Sequence, residues 1–289
     1  MHFKEAKSIL LPSGGMNIYR GCSHGCIYCD SRSDCYQMDH EFEDIEVKIN
    51  APQLLEQTLK RKRTVSMIAT GAMSDPYMHC EKELKLTRQC LEIIKKYGFG
   101  ISLLTKSDLV LRDLDLICEI NRGLKAVVCM TVTTFDDDLC RILEPNVACS
   151  SKRFEVLKTF RDNNIPTVVW LTPILPFIND TEENIRGIVE KCGELGVRGI
   201  ITFGGMGVTM RNGDREYFYK CLDCHFPGMK ERYIERYGLD YQLPSPNSRQ
   251  LMSVFKKICK KYGIMTDTDR IFEYIRSTDE AVGEQLSFF

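Results

Sequence analysis

Between residues 16 and 203 the chain repeats one pattern: a short apolar run, a polar or glycine-rich turn, then an amphipathic helical stretch. That alternation constrains the fold more than any other feature of the sequence. The apolar runs fall at 65–70, 101–105, 126–133, 167–172 and 199–203, and the first, third and last of the turns that follow open at Gly71, Thr134 and Gly204. Helical periodicity predicts helices over 52–62, 81–97, 112–121 and 151–163 and from Thr181 onward, the first with a proline in its first turn and basic residues at its end. With residues 16–19 as a first strand, six βα units result. Parallel strands joined through helices cross over right-handedly and bring their C-terminal loops to one mouth. The predicted fold is α/β, a partial (β/α)6 TIM-type barrel over residues 1–210. Beyond Arg211 the pattern changes to charged, aromatic helices at about 214–237, 248–262 and 267–276, interrupted by Pro244-Ser245-Pro246. This predicts a helical extension over 211–280 packed on the barrel, followed by a flexible tail at 281–289.

The loop after the first strand carries the chemistry. Gly21-Cys22-Ser23-His24-Gly25-Cys26-Ile27-Tyr28-Cys29-Asp30 sets three cysteines at C-x3-C-x2-C spacing, with two glycines that let the backbone fold tightly around a centre. Three thiolates on a short loop suit zinc or an iron-sulfur cluster, and three protein ligands leave one metal corner open. If His24 or His40 completed the set, the site would instead be a closed Cys3His structural zinc.

Composition narrows the classes. Thirty-nine Lys and Arg against forty Asp and Glu give a formal charge of -1, so no global basic field marks a nucleic-acid binder. The N-terminal segment lacks a signal-peptide pattern and no apolar run approaches the roughly 18 residues of a membrane span, so a cytoplasmic protein without a membrane partner is expected. Most of the 14 cysteines sit singly in apolar segments, where free cysteine behaves as a small hydrophobe. Cys221 and Cys224 form the other close pair, at helical i, i+3 spacing, and packing is the expected role.

The cysteine spacing after a first strand, with aromatic Tyr28 before the last cysteine, resembles the radical S-adenosylmethionine (SAM) superfamily. The resemblance implies that Cys22, Cys26 and Cys29 hold a 4Fe-4S cluster whose fourth iron is chelated by SAM. Reductive cleavage of SAM then yields a 5'-deoxyadenosyl radical, with an electron donor such as flavodoxin or ferredoxin. Thr70-Gly71-Ala72-Met73-Ser74-Asp75-Pro76-Tyr77, Leu86-Thr87-Arg88-Gln89, Thr105-Lys106-Ser107 with Leu111-Arg112-Asp113, and Leu143-Glu144-Pro145 look like the subgroup related to spore photoproduct lyase. By position, Tyr28, Gly71, Ala72, Ser74, Lys106 and Thr133 are then cofactor-binding candidates. Arg153 is a candidate second carboxylate contact, with an exposed helix position as its ordinary alternative. Ala72 stands where the lyase carries a hydrogen-donating cysteine, and Asp30 where it has a tyrosine; Cys80 is a candidate substitute donor, with a structural cysteine as the alternative.

The resemblance points to a radical SAM enzyme of lyase type acting on damaged or modified nucleic acid. The alternative from a different class is a non-catalytic zinc or iron-sulfur adaptor on the DNA sliding clamp. The last five residues give that clamp a handle: Gln285, Leu286, Phe288 and Phe289 resemble the pentapeptide by which bacterial repair proteins dock on it.

Overall fold

A computed structural model of the chain describes residues 1–203 and 205–278. In chain order the elements are β1 (His2–Lys4), β2 (Gly15–Met16), β3 (Tyr19–Arg20), β4 (Glu46–Lys48), α1 (Ala51–Arg61), β5 (Met67–Thr70), α2 (Glu81–Leu84), α3 (Leu86–Lys96) and β6 (Gly100–Thr105). There follow α4 (Leu114–Gly123), β7 (Ala126–Thr131), α5 (Asp137–Leu143), α6 (Ser150–Asp162), β8 (Thr167–Trp170), α7 (Glu182–Glu194), β9 (Gly199–Ile201) and β10 (Gly207–Thr209). The chain continues through α8 (Asp214–His225), α9 (Met229–Tyr237), β11 (Gln242–Pro244), α10 (Ser248–Tyr262) and α11 (Thr268–Arg276).

Six strands form one parallel sheet in the order β2-β5-β6-β7-β8-β9, so the expected βα series is present as a partial barrel whose end strands do not pair with each other. Every residue of β7 is buried, as a central parallel strand covered on both faces requires. Apolar faces of α1, α3, α4, α6, α7 and α10 cover the outside of the sheet and build the largest core. Smaller cores join the cysteine loop to α8 and α9, and α11 to the strand bottoms.

Several predicted boundaries are corrected. The first strand splits: Gly15–Met16 joins the main sheet, whereas Tyr19–Arg20 pairs antiparallel with β4 in a second sheet of order β1-β4-β3. The helix expected over 81–97 is broken at Lys85, whose φ of 52° is left-handed. The one expected over 112–121 begins only at Leu114, after a 3-10 turn. The helix expected over 214–237 is two helices, because Pro227 has no N–H to continue a ladder and Gly228 turns left-handed at φ 79°. Helix α5 was not anticipated, although Asp136 caps it by accepting from the Asp138 and Leu139 amides at 2.7 and 3.1 Å. Among the described residues no helix is long and apolar enough to cross a membrane. The clamp-like residues Gln285, Leu286, Phe288 and Phe289 lie outside the described residues.

Candidate active site

The cysteine loop is fixed from three sides before any side chain is considered. The Cys22 amide donates to the Phe42 carbonyl at 3.1 Å, Ile27 to Leu143 at 3.0 Å, and Asn146 to the His24 carbonyl at 3.2 Å. Gly21 has φ 85°, and a Cβ there would stand 2.5 Å from the Phe42 carbonyl oxygen, so only glycine permits the approach. Held this way, Cys22, Cys26 and Cys29 line one cavity of about 620 Å³ at the C-terminal ends of the sheet strands.

The residues present fit an iron-sulfur cluster better than a single ion. Around one zinc, sulfurs at about 2.3 Å from the metal lie roughly 3.8 Å apart. Among the described residues, no group of ligand atoms lying within 4.8 Å of one another contains these cysteines. Burial pushes the Cys22 thiol up to about 12 and raises Cys26 as well, so ionised sulfur at this wall calls for adjacent positive charge. The closed Cys3His arrangement does not form. His24 is buried with Nδ1 3.5 Å from Asp75 Oδ2, and His40 sits beside His2 at the second sheet.

The loops after β5 and β6 are joined by a carboxylate that the sequence reading gave no role. Asp75 Oδ1 accepts from the Thr105 hydroxyl at 2.7 Å and the Tyr77 amide at 2.8 Å, and Oδ2 accepts from the Lys106 amide at 2.8 Å. This fixes Lys106 at the cavity. Its ammonium lies 5.8 Å from the Tyr28 ring centre; burial disfavours its charge, yet Cys26, Glu144 and Cys29 hold it above the ordinary lysine range. Gly71 has φ 100°, and a Cβ would come 1.8 Å from the Leu104 carbonyl oxygen. Ser74 lines the cavity but spends its hydroxyl on the Tyr19 carbonyl at 2.7 Å, a positioning bond.

Behind Tyr28 lies a buried ion pair. Arg153 Nη2 is 2.5 Å from Glu144 Oε2, both side chains are wholly inaccessible, and the Tyr28 hydroxyl donates to Glu144 Oε1. Arg153 also donates to the Thr131 carbonyl at 2.9 Å and to the Ala148 carbonyl at 2.8 Å. Burial alone would raise the Glu144 carboxyl, but Arg153 and Lys106 hold it below the usual carboxylate range.

At the other end of the strand order the wall is aromatic. Trp170 ends β8 and Phe203 follows β9, their ring centres 5.1 Å apart at 71°. The antiparallel β10–β11 pair, Tyr241 and Ser248 extend that wall. Phe203 is 50% exposed and Tyr241 46%, large aromatic surface to leave in water. Asp30 sits at the rim, accepting from the Tyr36 hydroxyl at 2.7 Å, and Arg211 reaches the Tyr241 hydroxyl at 2.9 Å.

Of the predicted site residues, Cys22, Cys26, Cys29, Tyr28, Gly71, Ala72, Ser74 and Lys106 are brought together at this cavity. Thr133 is not: it is fully buried, its carbonyl accepts from Asn179 and Asn184, and Thr131 reaches the cavity instead. Arg153 is neither exposed nor at the cavity, because its guanidinium is taken up by Glu144 and backbone carbonyls. Cys80 precedes α2, half-buried against the main core and away from the cavity wall. Cys221 packs beside the α8–α9 core and Cys224 is exposed. Asp75, Glu144, Tyr36, Trp170 and Phe203 were missed. Glu144 had a signal in Leu143-Glu144-Pro145, and Trp170 in its place within a predicted strand.

A family model for the radical SAM superfamily matches residues 16–187. An uncharacterized protein of Methanocaldococcus jannaschii is 36% identical over 169 residues, 58% of this chain and 62% of that one. Another, from Mycobacterium tuberculosis, is 27% identical over 258 residues, 87% of this chain and 75% of that one. Among solved structures, spore photoproduct lyase complexed with dinucleoside spore photoproduct aligns with a TM-score of 0.62 at 15% identity, covering 92% of this chain and 78% of that chain. A radical S-adenosylmethionine methyltransferase from Kitasatospora setae, with cobalamin and a 4Fe-4S cluster bound, aligns at 0.58 and 12% identity, covering 91% and 56%. At these identities the structural likeness is one of fold.

Proposed function

We propose that this chain, which belongs to the radical SAM superfamily and is a radical SAM enzyme, acts on damaged or modified nucleic acid. The observation that carries the reading is a single cavity with three loop thiols and Lys106 at one end and exposed aromatic faces at the other. Its cofactors are a 4Fe-4S cluster and SAM, which when bound supply one-electron cleavage of the sulfonium and so an oxidant for a substrate C–H bond.

This chain's residues then divide the work. Cys22, Cys26 and Cys29 would hold the cluster. Lys106, kept cationic and fixed through Asp75, offers a counter-charge to a carboxylate or phosphate, and Gly71 lets a ligand approach the backbone. Tyr28 is held in place by Glu144. Trp170, Phe203 and Tyr241 provide faces on which a base can stack, worth about 1–3 kcal/mol per base. Ala72, at the cavity wall, has only a methyl group there, so the reaction ends differently from one in which a thiol at that place returns a hydrogen atom.

The test is the anaerobically reconstituted protein with SAM and dithionite. It should form 5'-deoxyadenosine, and Cys26→Ala should form none. Adding ultraviolet-damaged DNA should raise the yield and change bases detectable by mass spectrometry, an effect reduced in Trp170→Ala. Deoxyadenosine formation indifferent to every nucleic acid offered would remove the substrate assignment.

A further inference from the structure

The second sheet, outside the active-site cavity, carries a cluster that the proposed reaction does not use. His2 on β1 and His40 and Asp44 on the segment before β4 bring their ligating atoms within 4.8 Å of one another. The two imidazoles stand edge to face, 4.8 Å between centres at 84°. His2 Nδ1 is 2.9 Å from Asp44 Oδ2, and the Met1 amine is 2.5 Å from the other carboxylate oxygen.

His40 is the informative member. Its Nδ1 lies 3.0 Å from the Glu41 carbonyl oxygen, which can only accept, so Nδ1 carries the proton. Nε2 is therefore a bare lone pair, and it is buried with no hydrogen-bond partner. A buried acceptor without a partner has lost its hydration with nothing in return. An imidazole with one nitrogen fixed on a backbone carbonyl and the other left bare has the arrangement that metal-ligating histidines share, in which the outer bond sets tautomer and ring orientation.

We propose that His2, His40 and Asp44 bind one divalent transition-metal ion of the zinc class, separate from the cysteine loop. Two imidazoles and a carboxylate suit such ions, with water completing the shell. The ion takes the place of the proton between His2 Nδ1 and Asp44, which moves to the outer His2 Nε2. Its effect is mechanical. It ties β1 to the 39–44 segment, whose Phe42 carbonyl receives the Cys22 amide at 3.1 Å, and so braces the cysteine loop from outside the cavity.

The test uses the tag-free full chain with its cluster reconstituted anaerobically, so that the cysteines are occupied, dialysed against zinc and assayed for zinc and iron together. Wild type should hold one zinc per chain that His40→Gln and Asp44→Asn lose or bind at least about tenfold more weakly. His79→Gln should behave as wild type. Zinc should also slow amide exchange over residues 36–44 in wild type and not in the variants. Equal iron content and melting temperature without zinc show that the variants are folded. No zinc on wild type, or equal zinc on His40→Gln and wild type, overturns the site.

Discussion

Two buried glutamates each face an arginine, and they end in opposite electrostatic states. Glu144 meets Arg153 at 2.5 Å, receives the Tyr28 hydroxyl and lies near Lys106; its carboxyl is held low. Glu81 is equally inaccessible, but Arg112 Nη2 stands 3.7 Å away and is engaged by Asp113 at 2.7 Å, leaving Glu81 Oε2 without a hydrogen-bond partner. Burial therefore prevails and pushes the Glu81 carboxyl up to about 7. Glu144 is held low by an arginine in contact with it, whereas Arg112, shared with Asp113, does not offset burial at Glu81.

The sharpest way to break this contrast is to remove the undivided partner. Arg153→Met leaves Glu144 buried without its main counter-ion and should cost about 3–5 kcal/mol in urea unfolding. Adding Glu144→Gln should recover part of that. A loss below about 1 kcal/mol would show that the pair does not govern Glu144. Next in size is the pH profile of Glu81. Its folded value, about 7, lies above the ordinary 4.5, so the folded state binds the proton more tightly. The contribution is fully present below 4.5 and is lost as pH rises through 7, of order 3 kcal/mol across that window. Glu81→Gln should flatten this decline, whereas an unchanged profile would place the titration elsewhere. The smallest effect belongs to an exposed pair: Arg186 meets Glu182 at 2.6 Å on α7, and Arg186→Ala should shift stability by no more than about 0.5 kcal/mol.

The contrast also marks where sequence reading stops. Strands and cysteine loop were legible because a local period and a local spacing carry them, and the thiols, Gly71 and Lys106 all meet where a βα series predicts. Arg153 was not, since an arginine in a helix of mixed polarity looks solvent-facing until Glu144, nine residues earlier, is folded against it. Thr133 was placed by position, but the chain after β7 turns it into the Asn179–Asn184 network and gives Thr131 to the cavity. The antiparallel β10–β11 pair joins segments more than thirty residues apart and has no local signature. The break at Pro227-Gly228 had a plain one.

The sheet has ends. β2 and β9 do not pair, and β9 continues only into a bridge with Met265. The span between them is bridged instead by side chains and loops: Arg211, just past β10, lies 3.5 Å from Asp30 beside the cysteine loop and donates to the Tyr241 hydroxyl at 2.9 Å, and the Asp34 amide donates to the Asn212 carbonyl at 3.0 Å. The seam of this barrel is therefore fastened by an ion pair and loop hydrogen bonds where a closed barrel would have a strand ladder.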